Sequence, residues 1–156
     1  MGLDMYLSGK RHLSSHFVEG DDERSNAIAE QFPELEGKQA HFGGKSCVKE
    51  VTIEAGYWRK ANHIHKWFVD NVQGGEDECR PHRVDREQLE ELRDLCKQVL
   101  EDRSKAAELL PPQSGFFFGG TDIDEYYFQD LEQTVKILED ALDLPSSWEF
   151  EYCSSW

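Results

Sequence analysis

GYWRKANHIHKWFVDNVQGG, residues 56–75, is the stretch on which the fold turns. Tyr57, Ala61, Ile64, Phe68 and Val72 recur at helical spacing, which predicts a helix opening near Gly56 and closed by Gly74 and Gly75. Upstream, Val51, Ile53 and Ala55 alternate with Thr52 and Glu54, the period of a half-buried strand over about 48–55. At the start of the chain Leu3, Met5 and Leu7 alternate with Asp4, Tyr6 and Ser8, a second such strand. Downstream, Leu89, Leu92, Cys96 and Val99 make the stripe of a helix capped by Asp85, with Gln88 in capping-box position. That helix is expected to carry a Glu101–Lys105 pair and to end at Pro111–Pro112. Cys96 on its stripe reads as core.

SGFFFGG, residues 114–120, reads as a short strand bounded by glycines. The next helix is expected to start at Thr121 or Asp122 and to stop before Pro145, burying Tyr127, Leu131, Val135, Leu138 and Leu142. Trp148, Phe150 and Tyr152 then alternate with Glu149 and Glu151, a closing strand. Residues 9–45 differ in kind: rich in glycine and charge, poor in aliphatics, with a short helix predicted around Asp22–Phe32 and stopped by Pro33. They read as a surface excursion or lid. The expected fold is one α+β domain over residues 1–156, a small mostly antiparallel sheet of about four strands against three main helices.

The chain has 156 residues, long enough to bury a core without a disulfide or metal staple. Aromatic residues supply 12% of it, and these rings exclude a disordered chain. Seventeen basic against 32 acidic residues leave a net charge of −15, which repels nucleic acid and anionic lipid over the surface as a whole. Cys47, Cys79, Cys96 and Cys153 are scattered. There is no basic-apolar leader and no run of ~18 apolar residues, so the chain is expected in a reducing cytoplasm with free thiols.

Against this background the window between Glu54 and Asp70 reverses sign. It carries Arg59, Lys60 and Lys66 with His63 and His65 and no acid, a local +3 that leaves −18 for the remainder. On a helix Arg59, Asn62, His63 and Lys66 share one face, with Tyr57 and Trp58 at its first turn, where free backbone N–H groups favour an anion. Guanidinium, ammonium, amide, imidazole and ring together suit a phosphate-bearing, nucleotide-like ligand. The competing reading is that these cations pair with the protein's own carboxylates and the indoles are core. Gln113 and Ser114, before the glycines, and Thr121, after them, offer polar groups beside a helix start, with Tyr126 and Tyr127 as further rings. The segment matches no phosphate-loop or dinucleotide pattern, and Asp122, Asp124 and Glu125 oppose a phosphate there. As a plain turn, it makes Thr121 the N-cap.

No metal or cofactor is expected. His63 and His65 diverge by ~200° on a helix, and Cys79-x-x-His82 lacks a second ligand pair unless His41, Cys47 or a helix histidine joins it. No catalytic set is legible either. Residues 121–143 hold eight acids against Lys136 alone, a stripe that solubilises the protein or imitates nucleic-acid phosphates towards a basic partner.

The segments GYWRKANHIHKWFVDNVQ, DREQLEELRDLCKQVL and AELLPPQSGFFFGGTDIDEYYFQDLEQTVKILE, with the MGLDMYL start, resemble a family of small uncharacterised proteins encoded by bacteriophages and prophages. The resemblance spans most of residues 1–8 and 50–143 and brings no catalytic residues with it. It implies an infected bacterial cytoplasm and counter-defence roles, either sequestration of a nucleotide immune signal or inhibition of a host protein. The leading expectation is a binding protein without turnover. Arg59 and Lys66 would neutralise phosphate, Trp58 or Tyr57 would stack, and Asn62, His63 and Gln113 would read polar edges. Two alternatives stand beside it: an acidic inhibitor of a host defence protein, and a nucleotide-acting enzyme with His63 or His65 as acid or base. An exposed edge on the C-terminal strand would favour a homo-oligomer.

Overall fold

The computed structural model describes residues 2–14, 17–35 and 47–156. Their strands are β1 (Asp4–His12), β2 (Glu50–Arg59), β3 (His82–Val84) and β4 (Glu149–Ser155). Their helices are α1 (Asp21–Ala29), α2 (Asn62–Asn71), α3 (Arg86–Glu101), α4 (Ala106–Leu109) and α5 (Glu125–Asp143), with short 3-10 turns at Pro33–Leu35 and Arg103–Lys105. The strands form one antiparallel sheet in the order β2-β1-β4-β3, so the class is α+β.

The chain divides into two compact units, Met1–Gly9 with Glu54–Trp156, and Lys10–Ile53, the boundary falling within β1 and β2. In the larger unit the alternation of Leu3, Met5 and Leu7 is realised: all three are buried, with Asp4, Tyr6 and Ser8 on the half-open face. Phe150 and Tyr152 of β4 and Trp58 of β2 join them against Ile64, Phe68, Leu89, Leu92, Leu131 and Leu138 from α2, α3 and α5. The Phe68 and Tyr152 rings stack at 3.9 Å and 7° across the sheet–helix layer. The capping box forms as read, with Gln88 Oε1 accepting from Asp85 N–H at 2.9 Å. Cys96 is buried and its thiol is pushed up to about 12 by desolvation, which makes it inert.

Five expectations are corrected. First, residues 56–59 are strand: Gly56 and Trp58 face the core while Tyr57 and Arg59 face out, so the more buried positions change from odd (Val51, Ile53, Ala55) to even between Ala55 and Gly56. A Cβ at Gly56 would run into Ile137 of α5, so this glycine marks a close strand–helix approach rather than a helix start. Gly56→Ala should therefore destabilise the protein by about 1–3 kcal/mol, read from urea unfolding. Second, residues 114–120 form a turn, with Phe118 N–H donating to the Gly115 carbonyl at 3.2 Å and the Phe118 ring lying over Gly115. The missing strand is β3, three residues long and too short to show an alternation, with His82 paired opposite Tyr152. Third, α3 stops at Glu101 and Lys105 pairs with Asp102 at 3.7 Å instead. Fourth, α5 begins at Glu125 under an Asp124 cap that accepts from Tyr126 and Tyr127 N–H, so Thr121 is not the N-cap. Fifth, β4 lies inside the sheet, between β1 and β3, and is not an edge strand.

The smaller unit is organised by one carboxylate. Buried Asp21 accepts from Arg11 at 2.8 Å, from Arg24 at 3.0 Å and from Ser14 N–H at 3.0 Å. The Ser14 N–H foremost, with both guanidiniums, holds its pKa below the ordinary value, so its stabilising effect is present at neutral pH and is lost below about pH 4. Within this unit α1 realises the short helix read from the sequence. Residues 15–16 and 36–45 of the proposed lid lie outside the described residues, His41 among them.

Candidate functional site

The geometry starts at Lys60, which ends β2 with φ 60°, a left-handed conformation that glycine adopts more easily. Its N–H donates to the Leu3 carbonyl at 2.8 Å and its carbonyl accepts from Asn62 N–H at 2.8 Å, so the backbone turns sharply into α2. Asn62, 2% exposed, spends its amide on one loop. Nδ2 donates to the Phe118 and Gly120 carbonyls at 3.1 and 2.8 Å, and Oδ1 accepts from Gln113 N–H at 3.0 Å. These three bonds anchor residues 113–120 against the start of α2.

On one side of the anchored loop lies a cavity of about 310 Å³, within the size range of small-molecule sites. Arg59 and Lys60 supply its cations, Gly119 and Gly120 its backbone wall, Tyr126 and Tyr127 its rings, and Asp122, Asp124 and Asp130 its acids. His63 lines it too, 3% exposed, its ring 4.1 Å from that of Tyr127 at 35°. Its buried Nε2 has no hydrogen-bond partner among the described residues. Desolvation drives the His63 pKa down to about 3, so the imidazole is neutral at physiological pH. Asp130 moves the other way: desolvation first, then the Asp124 carboxylate, push it up to about 6.

Comparison of the chain with protein-family models, with curated proteins and with solved structures finds no match in any of the three. The site is therefore read from its own geometry.

Of the residues read as ligand-binding, Arg59, Asn62 and His63 line this cavity, although Arg59 comes from a strand end rather than a helix face. Its guanidinium is largely exposed and 3.9 Å from the Asp4 carboxylate, a loose pair that leaves it available. Asn62 positions the loop instead of offering its amide to a ligand. Three others lie elsewhere. Trp58 is sealed in the core, its indole N–H donating to Thr134 Oγ1 at 2.9 Å. Tyr57 donates to Asp4 at 2.5 Å on the outer sheet face, a bond that raises its pKa. Lys66 pairs with Asp70 at 2.6 Å one helical turn on. The shared charged face is absent because seven of the ten α2 residues are buried, leaving Lys66 part of a narrow outer edge. Thr121 is exposed and lines no cavity described here.

Gln113 and Ser114 line a second cavity, of about 340 Å³, on the other side of the same loop, with His65 and Asp77. His65 Nδ1 lies 2.8 Å from Tyr152 Oη and Nε2 lies 3.3 Å from Asp77. Burial lowers the His65 pKa although Asp77 pulls it back, so a neutral ring donating from Nε2 and accepting from the tyrosine satisfies both bonds. Asp130 in the first cavity and Asp77 and Trp156 in the second are lining residues that no sequence pattern singled out. Among the described residues no three His, Cys, Asp or Glu side chains come together as metal ligands.

Proposed function

We propose that the cavity beneath Arg59 and Lys60 binds a small anionic, nucleotide-derived ligand and holds it without turnover. The observation that carries this reading is the buried His63 Nε2, a ring nitrogen without a hydrogen-bond partner among the described residues, in a cavity that also presents two exposed cations. A buried unpaired polar atom costs about 1–3 kcal/mol, and a ligand group that donates to this nitrogen, or accepts from it in the other tautomer, would recover it. Phosphate would sit against Arg59 and Lys60, and a flat base beside the Tyr126 and Tyr127 rings. The carboxylates of Asp122, Asp124 and Asp130 restrict the class further. They repel a wholly anionic molecule and favour one whose far end carries donors, such as the amino group of a nucleobase. The resemblance to phage-encoded proteins extends the proposal to capture of a nucleotide signal in an infected cell.

Calorimetric titration with mononucleotides and cyclic dinucleotides tests it. Saturable heat is expected for at least one of them. Arg59→Ala should weaken that binding about tenfold, the loss of one charge-assisted contact, and the ligand should be recovered intact after denaturation. No heat with any nucleotide would remove the proposal, and recovery of an altered ligand would replace binding by catalysis.

A further inference from the structure

The second cavity differs from the first in having a carboxylate but no lysine or arginine among its lining residues. Its floor is Asp77, which accepts from Ser154 Oγ at 2.6 Å, Trp156 Nε1 at 2.7 Å, Cys79 N–H at 2.9 Å, and His65 Nε2 and Gln73 Nε2 at 3.3 Å each. All five donors are neutral, with His65 in the tautomer assigned above. They fix the carboxylate and keep it ionised but do not cancel its charge. No lysine or arginine lines this cavity among the described residues. A second acceptor, Gln113 Oε1, is buried against it without a partner among the described residues.

The walls are rings. Phe118 and Trp156 stand 5.8 Å apart at 76°, and Phe118 meets His65 edge-on at 5.1 Å. Phe116 is 95% exposed and Trp156 52% exposed, so aromatic faces at the opening lack cover. Ring faces carry negative electrostatic potential, and faces set at right angles around an anionic floor attract a cation. A phosphate would face the Asp77 charge with no lysine or arginine lining the cavity to offset it, and is disfavoured by the same reasoning.

We propose that this second cavity is a site for a small organic cation bearing N–H groups, an alkylammonium or guanidinium head. Phe116, Phe118 and Trp156 form its walls, the Asp77 charge lies beneath it, and Gln113 Oε1 takes one of its hydrogens. The proposal is independent of the nucleotide reading, because the two cavities share no lining residue.

The test compares tert-butylammonium with tert-butanol, which have nearly the same shape and differ in charge. The reporter is the Trp156 indole N–H resonance, already tied to Asp77. Tert-butylammonium should shift it saturably and tert-butanol should not. Phe116→Ala, an exposed position whose loss leaves folding intact, should weaken the ammonium about two- to fivefold, whereas Arg59→Ala should leave it unchanged. Equal shifts with both probes would overturn the proposal in favour of a merely apolar pocket. So would an absence of saturation with the cation, or an unchanged affinity in Phe116→Ala.

Discussion

Asn62→Ala is expected to be among the most damaging single changes in the larger unit, lowering stability by about 3–5 kcal/mol. The side chain is small, so little apolar burial is lost. The cost comes from the Gln113 N–H and the Phe118 and Gly120 carbonyls, which lose their shared partner at once. Asn62→Asp should be worse, since a carboxylate keeps the Gln113 contact and faces two carbonyl oxygens it cannot satisfy. Urea unfolding measures the size, and native-state hydrogen exchange locates it. The Gln113 amide should exchange much faster in Asn62→Ala relative to helix amides of α3, because the loop is released before the core. Uniformly accelerated exchange across α3 and the loop would mean that Asn62 matters only to global packing.

The second large effect is a pH dependence that wild-type protein conceals. His63 has its ordinary pKa when unfolded and about 3 when folded, so the unfolded chain takes up the extra proton between pH 6.5 and 3. Stability therefore falls with falling pH across that window, by about 1.4 kcal/mol per unit. Asp130 has the opposite sign. Its folded pKa of about 6 lies above its unfolded 3.8, so the folded protein binds the extra proton between those values and gains stability as pH falls. From about pH 6 to 4 the two slopes oppose each other. Asp130→Asn removes one of them. Its stability relative to wild type should rise by about 2–3 kcal/mol between pH 4 and pH 7, and the variant alone should show the full acid sensitivity of His63. Thermal or urea unfolding at four pH values decides it. Parallel curves for the two proteins would show that Asp130 titrates normally and that the cavity is wetter than its lining indicates.

These expectations rest on residues of unequal legibility. The alternations at 3–7 and 148–152, the helix stripes at 89–99 and 127–138 and the Asp85–Gln88 cap are local patterns, and the structure realises each of them. The α+β class follows from their order. The error at 56–61 arose because Tyr57, Ala61, Ile64 and Phe68 satisfy a helical period, while Gly56 and Trp58 fit a strand period only out of phase with Val51, Ile53 and Ala55. The tie is broken by Ile137, more than 70 positions away, which requires the absent Cβ of Gly56. Likewise β3 exists only through its pairing with β4. For the cavities, the reversal of charge pointed to Arg59 and to the neighbourhood of His63, yet it could not tell Lys66, paired on the outer edge of α2, from Lys60, turned towards the loop.

By itself the sequence determined the fold class, the two long helix faces, the buried thiol of Cys96 and a cationic island in an acidic chain, because each depends on spacing and composition within a short window. Tertiary structure alone decided which polar groups are anchored and which are left over. Whether an amide clamps a loop, as at Asn62, or an imidazole lacks a partner, as at His63, depends on which distant carbonyls and donors come within three ångströms. Hydrogen-bond satisfaction has no sequence period, and the two candidate sites consist of what it leaves unsatisfied.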